Sequence, residues 1–64
     1  MNGPPKLRQW RTRIRFSQIQ AAKHLGLNRS LYSLYETGTR CPKLKNAAKI
    51  ERGTSGEVAV RDWQ

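Results

Sequence analysis

The chain has 64 residues, enough for one small core but not for a separate effector-binding domain, so we expect no small-molecule effector. It has no apolar stretch that could span a bilayer and no leader-like segment, so we expect a cytoplasmic protein with no membrane partner. Its one cysteine and one histidine exclude an intramolecular disulfide and a zinc tetrahedron, so we expect no metal or cofactor. Thirteen Lys and Arg against four Asp and Glu give a formal net charge of +9, which predicts a polyanionic partner, nucleic acid first.

The first predicted element is a helix that follows a flexible N-terminal arm, residues 1–5. The arm contains Asn-Gly-Pro-Pro, which disfavours a helix, and its last proline suits the position just before or at a helix start, so order is expected from about Lys6. Leu7, Trp10 and Ile14 then recur at spacings of three and four. This spacing predicts an amphipathic helix of about three turns.

Two short helices joined by a tight turn are predicted next. Ser17 is a good N-cap, and the helix after it ends at Gly26, which suits the left-handed position that terminates helices. Asn28 then caps a third helix, which runs from Arg29 to about Glu36. Such a pair is typical of a helix-turn-helix, whose second helix enters the major groove of DNA.

A fourth helix is predicted to open at Pro42, to place Leu44 on its apolar stripe and to close by Gly53. In the tail that follows, the weak alternation of apolar and polar residues leaves three conformations open: a short strand, a packed extended segment or a helical turn. The sequence therefore predicts an all-α domain of four to five helices, divided into the arm (1–5), a helix-turn-helix domain (6–53) and a C-terminal tail (54–64).

The segment from Phe16 to Gly38, FSQIQAAKHLGLNRSLYSLYETG, resembles the helix-turn-helix of the phage Cro and repressor family. Ser-Gln at 17–18, Ala22, Leu-Gly-Leu at 25–27 and Glu-x-Gly at 36–38 fall in register with that family. The resemblance runs from residue 7 to about residue 50, and the stretch after it is similar to the end of small Cro-like and YdaS-like regulators. It implies a compact lambda-repressor-like domain that binds double-stranded DNA.

The resemblance assigns sequence reading to the exposed face of the third helix. It implies base contacts from Arg29, Ser30, Ser33 and Leu34. A guanidinium at Arg29 can donate two hydrogen bonds to the O6 and N7 edge of guanine, the serine hydroxyls can adapt to several bases, and Leu34 can press on a thymine methyl. Arg29 is therefore the main expected determinant of specificity.

The resemblance also implies contacts to the sugar-phosphate backbone, which add affinity without sequence information. The residues it assigns to this role are Ser17, Gln18, Asn28, Arg40, Lys43 and Lys45. Gln18 is further expected to brace the first side chain of the third helix. Arg8, Arg13 and Arg15 either extend this footprint or form a solvated face.

Five residues receive structural roles from the resemblance. Arg11 and Glu36 match a family pair that joins the first helix to the end of the third. Tyr32 and Tyr35 stand where the family keeps large apolar residues in the core. Arg15 replaces the glycine that usually ends the first helix, so that turn either closes differently or places Arg15 in a strained conformation.

Two kinds of function remain open at this point. The first is a phage-type, Cro-like repressor that binds a palindromic operator as a homodimer, with half-sites about 10 base pairs apart. Residues 58–63 are the expected dimer contact, unless Trp63 packs back on the fourth helix. The second is an antitoxin-like or adaptor module that binds a protein, with DNA binding secondary. An enzyme is not expected, because the sequence shows no cluster of acid, base, nucleophile or metal ligands.

Overall fold

A computed structural model describes residues 3–63, whose four α-helices and one 3-10 helix share a single core. In chain order these are α1 (Gly3–Arg13), α2 (Gln18–Leu25), α3 (Arg29–Thr37), α4 (Leu44–Gly53) and the 3-10 helix (Val60–Trp63). No strand occurs among residues 3–63, so the all-α prediction is confirmed. α3 packs against α1 and α2, and α4 packs against α2 and the 3-10 helix.

α1 begins earlier than the sequence indicates. It starts at Gly3 and includes both prolines, whereas order was expected only from Lys6; the arm prediction is wrong for residues 3–5, and Met1 and Asn2 lie outside the described residues. Amides of the first helical turn have no partner within the helix, so the missing N–H of a proline costs little there. Pro4 also packs near the end of α3, since a Cβ added at Gly38 would lie 3.3 Å from its Cγ.

The ends of α2 and α3 are set by local capping bonds, as predicted. Ser17 Oγ accepts from the backbone N–H of Gln20 at 3.1 Å, and Gln20 Oε1 accepts from the N–H of Ser17 at 2.8 Å. Asn28 Oδ1 accepts at 2.7 Å from a backbone N–H in the first turn of α3. The two helices end at Gly26 (φ 74°) and Gly38 (φ 79°), in the left-handed region that favours glycine. The helix-turn-helix is thus defined by short-range bonds.

α4 begins at Leu44, two residues later than predicted. Pro42 is buried in the loop instead of opening the helix, and Lys43 occupies the N-cap position without a side-chain capping bond. Leu44, the first residue of α4, is 73% exposed. Its expected place on the apolar stripe is therefore wrong, and Ala47 and Ile50 supply the buried face of α4.

α2 and α4 meet where their C-terminal ends cross. A Cβ added at Gly53 would overlap the side chain of Leu25, so glycine permits the close approach of the two helices. His24 Nε2 lies 2.9 Å from the backbone oxygen of Gly53, and its ring packs against the rings of Trp10 and Phe16 at centroid distances of 5.8 and 5.7 Å. This contact fixes α4 relative to the helix-turn-helix.

The core draws apolar side chains from every helix. Tyr32, Ile50 and Val58 are among its fully buried side chains. Tyr35 is also buried, and its hydroxyl accepts a 2.9 Å hydrogen bond from Asn46 Nδ2, so the core positions predicted for both tyrosines are confirmed. The complete cluster is Leu7, Trp10, Ala21, Ala22, Leu25, Tyr32, Tyr35, Ala47, Ile50, Val58 and Trp63. None of the described helices has the length and apolar character needed to cross a membrane.

The tail folds back on its own chain and is not an exposed apolar surface. Val58, Ala59 and Trp63 are 0%, 7% and 5% exposed, and the Trp63 ring lies 6.1 Å from that of Tyr35. Trp63 thus packs back on the core of its own chain, which is the alternative that the sequence left open beside a dimer contact through residues 58–63. Of the three open conformations, the helical turn is the one observed at residues 60–63.

Polar contacts hold the tail as well. Lys6 Nζ pairs with Asp62 Oδ1 at 3.0 Å, and Asp62 Oδ2 accepts from the backbone N–H of Ala59 at 2.8 Å. The bond from Ala59, followed by the one from Lys6, holds the pKa of Asp62 below its ordinary value. Glu51 Oε1 accepts from the N–H of Val60 at 3.0 Å. α1 and α4 thus both anchor the 3-10 helix.

Candidate nucleic-acid interface

The start of α3 projects into solvent while the opposite face of that helix is buried. Arg29 and Ser30 are exposed, and Ser33 and Leu34, one turn later, are half-buried. Helical periodicity brings these four predicted base-reading residues together on one side of α3, since residues three and four apart lie one above the other. Tyr32 lies on the buried side. A single helix therefore presents one cation, two hydroxyls and one apolar group to a partner.

A buried polar network supports α3 from behind. Arg11 donates two hydrogen bonds to Glu36, from Nε at 2.7 Å and from Nη2 at 3.0 Å, and the predicted pair is present. Arg11 Nη1 also donates to the backbone oxygen of Phe16 at 3.0 Å, and Gln18 Nε2 donates to Glu36 at 3.2 Å. The Glu36 carboxylate thus connects α3 to α1 and α2, and the Arg11 guanidinium connects this pair to the α1–α2 loop.

The charges of this network reinforce one another. Burial alone would raise the pKa of Glu36, but hydrogen bonds led by that from Arg11 outweigh it and hold the pKa below its ordinary value. The same hydrogen bond raises the pKa of Arg11. Burial, and then the nearby Glu36 carboxylate, raise the pKa of Tyr32, whose hydroxyl makes no hydrogen bond of good geometry among the described residues. The Arg11–Glu36 pair therefore stays ionised at neutral pH.

Gln18 is placed differently from the expectation that it braces the first side chain of α3. Its amide bonds to Glu36 in the last turn of that helix and not to Arg29, because the start of α2 lies beside the end of α3. Sequence reasoning missed this link, since residue spacing within α2 carries no information about its contact with another helix. The sequence feature that could have indicated this bond is Glu36 itself, a carboxylate at the end of α3 for which only Arg11 was predicted as a donor.

The remaining residues assigned to the phosphate backbone lie before and after α3 in the sequence. Ser17 and Asn28 use their side-chain oxygens as helix caps. The three basic residues after α3 are all exposed and form no ion pair with any of residues 3–63; they are Arg40 in the loop, Lys43 before α4 and Lys45 in its first turn. Their positive charge is therefore available to an anionic partner.

All four acidic side chains form hydrogen bonds within the fold. Glu36 bonds to Arg11 and Gln18, Glu51 to the backbone of Val60, Glu57 to Arg13, and Asp62 to Lys6 and the backbone of Ala59. Only three of the thirteen Lys and Arg side chains have a carboxylate partner among the described residues. The excess positive charge therefore lies on exposed, unpaired side chains.

A family model described as Helix-turn-helix matches residues 7–55, which include all of α2, α3 and α4 and most of α1. The chain belongs to the helix-turn-helix family. Within it, the chain is of the lambda-repressor and Cro type, so the resemblance seen in the sequence is confirmed. A helix-turn-helix domain of this family is a DNA-binding domain of the transcription-regulator type, not an enzymatic one. No curated protein and no solved structure matches the chain.

Proposed function

We propose that this helix-turn-helix protein is a sequence-specific regulator of transcription, a Cro-like repressor that binds a palindromic operator in double-stranded DNA as a homodimer. The observation that carries the proposal is the solvent-exposed start of α3, held in place by the Arg11–Glu36 network behind it. A helix of this kind fits the major groove with its N-terminal residues against the bases. Because the helix is already held in its position, less conformational entropy is lost when it binds DNA.

Base reading is assigned to four residues on the outer face of α3. Arg29 donates two hydrogen bonds to a guanine edge, which is worth about 1 to 3 kcal/mol against a wrong base. Ser30 and Ser33 donate to or accept from neighbouring base edges, and Leu34 contacts a thymine methyl. These four side chains supply one charged, two adaptable and one apolar contact per domain.

The proposed contacts to the DNA phosphates use hydrogen-bond donors that the fold leaves available. Ser17 accepts a capping bond through its oxygen and keeps its hydroxyl proton, and Asn28 keeps both amide N–H groups. Gln18 keeps the second N–H of the amide that bonds to Glu36. Arg40, Lys43 and Lys45 add charge to phosphates and set how strongly binding depends on salt.

Binding as a homodimer follows from the size of the reading surface. One domain reads only a few base pairs, whereas two domains related by a two-fold axis read an inverted repeat with half-sites about 10 base pairs apart. The dimer surface lies outside the buried apolar residues of the tail, because Val58 and Trp63 are occupied within the chain.

Selection of bound duplexes from a random DNA pool tests the proposal directly. At about 0.15 M salt, where nonspecific polycation binding is already weakened, we expect an enriched inverted repeat. Enrichment of a single half-site would reject the homodimer, and no enrichment would reject sequence-specific binding in favour of the protein-binding module.

Two variants separate reading from positioning on the selected operator. Arg29→Ala is expected to relax preference at one base pair per half-site by about 1 to 3 kcal/mol, while Lys43→Ala weakens binding to all sequences alike. Affinities measured on the operator and on single-base variants distinguish the two. Equal losses on every duplex for both proteins would remove Arg29 from the reading surface.

A further inference from the structure

Arg15 adopts a backbone conformation that favours glycine. It follows α1 with φ 60°, in the left-handed region, where the ends of α2 and α3 carry Gly26 and Gly38. The turn closes with hydrogen bonds from the N–H of Arg15 to the oxygen of Thr12 at 3.2 Å and from the N–H of Phe16 to that of Arg11 at 3.1 Å. It therefore closes as a glycine-ended helix would, and a side chain with a Cβ is strained there.

Neighbouring residues hold this turn without help from the Arg15 side chain. The Phe16 ring packs edge-to-face on Trp10 with centroids 6.1 Å apart, and Arg11 donates to the Phe16 oxygen at 3.0 Å. The Arg15 side chain is exposed and bonds to none of the described residues. Glycine would relieve the strain of this turn, and no contact of the Arg15 side chain within the described residues offsets that strain.

Three of the four cations of α1 are held by carboxylates, whereas Arg8, like Arg15, is exposed and has no carboxylate partner among the described residues. Lys6, Arg11 and Arg13 pair with Asp62, Glu36 and Glu57 respectively. Arg15 lies two residues before Ser17 and three before Gln18, both assigned to the phosphate backbone. An unpaired guanidinium at this position matches a phosphate, to which it can donate two hydrogen bonds.

We propose that Arg15 binds a phosphate of the DNA backbone beside the contacts of Ser17 and Gln18, and that the strained turn is the cost of placing it there. The inference rests on the proposed function, because it needs a duplex along this side of α2. It assigns Arg15 to affinity, not to sequence reading, and predicts opposite effects of one substitution on stability and on binding.

The substitution is Arg15→Gly, tested on a short duplex of mixed sequence. We expect Tm to rise by about 4 °C, because glycine relieves the left-handed turn while losing part of that gain to its freedom in the unfolded chain. At about 0.1 M salt, affinity should fall by roughly tenfold, and the slope of log K against log salt should decrease by about 0.9, the value for one phosphate contact. Arg15→Lys keeps the charge and the strain, and should retain most of the salt slope without the gain in Tm.

Arg61→Gln is the matched control, since it removes one exposed arginine on the 3-10 helix and changes net charge equally. It should leave the salt slope close to that of the unaltered protein. Either an unchanged slope in Arg15→Gly or an equal decrease in both variants overturns the Arg15 contact. If the unaltered protein binds no duplex even at low salt, the proposed function fails, and the Arg15 contact with it.

Discussion

The helix-turn-helix, residues 17–38, and the tail, residues 54–63, are built by bonds of very different range. The caps of α2 and α3 join groups three residues apart, as in the bond between Ser17 and Gln20. The tail is held by partners far along the chain, such as Lys6, which lies 56 residues from Asp62. Local bonds can be read from residue order, whereas distant ones exist only after the chain has folded.

The two regions also differ in the contacts that hold them in position. The capping residues of α3 determine where this helix begins and ends, but the position of the helix in the fold depends on the Arg11–Glu36 pair. The tail has only a short 3-10 helix and the local bond from Ala59 to Asp62, and Val58 and Trp63 hold it by completing the core beneath α4. Mutations in each region should therefore differ in size and in what they affect.

The largest effect is expected from Trp63→Ala, which would test whether the tail is part of the core. Removing this buried ring should cost about 3 to 5 kcal/mol in the free energy of unfolding, measured by urea denaturation. Trp63→Phe is the control and should cost less than about 1.5 kcal/mol, because it keeps a ring and removes an indole N–H that has no partner among the described residues. A loss below about 1 kcal/mol for alanine would place the tail outside the core.

Glu36→Gln comes next, because it removes a charge from the network behind α3. We expect a loss of about 2 kcal/mol at pH 7, since Arg11 keeps an acceptor but loses its ionic partner. The lowered pKa of Glu36 means that its contribution is present above the unfolded value of about 4.3 and is lost as pH falls through the folded value. The gap between the two proteins should therefore narrow as pH falls from about 5 toward 3.

Glu57→Gln makes the same charge change at an exposed pair and is the control for Glu36→Gln. It should shift stability far less at pH 7. A gap between Glu36→Gln and the unaltered protein that stayed constant across the acid range would mean that the carboxylate is not ionised in the network.

Asn28→Ala tests the local bonds of the helix-turn-helix and should have a moderate effect. Loss of the N-cap of α3 is expected to cost about 1 kcal/mol in thermal or urea unfolding. Asn28→Ser restores a capping oxygen and should recover most of that stability. If serine fails to do so, Asn28 contributes through something other than the cap.

The smallest effect is expected from Arg13→Gln, which breaks a long-range contact of the tail. Arg13 and Glu57 are 63% and 39% exposed in their side chains, so solvent screens their attraction and the loss should stay below about 0.5 kcal/mol. Urea denaturation at low and high salt would check it. A larger loss would show that ion pairs, and not Val58 and Trp63, anchor the tail.

The local features of the fold could be predicted from the sequence. Ser17, Gly26 and Asn28 define helix ends through bonds within a few residues, and the prediction of α2 and α3 is confirmed. α1 and α4 were misplaced at their starts, where Pro4 and Pro42 are stabilised by packing that residue order does not encode. The tail was predicted least well, since its conformation depends on contacts with α1, α3 and α4.

For the candidate site, the sequence predicts which residues face the partner but not the hydrogen bonds that connect the site to the rest of the fold. The resemblance identified Arg11 and Glu36 as a pair and assigned Arg29 and Ser30 to the exposed face of α3. It could not show that Gln18 shares the Glu36 carboxylate, because that depends on how α2 packs against α3. The role of each residue toward DNA remains a prediction.

The engagement of every carboxylate restricts how this chain can evolve. A substitution at Glu36, Glu51 or Asp62 removes a bond that holds two segments together, so selection on surface charge cannot act on these positions independently of folding, whereas the exposed Glu57 is coupled to folding only weakly. Adjustments of charge are left to the thirteen Lys and Arg residues, most of which have no ionic partner among residues 3–63. Among relatives, we therefore expect the acidic positions to drift slowly and the exposed basic positions to vary in number.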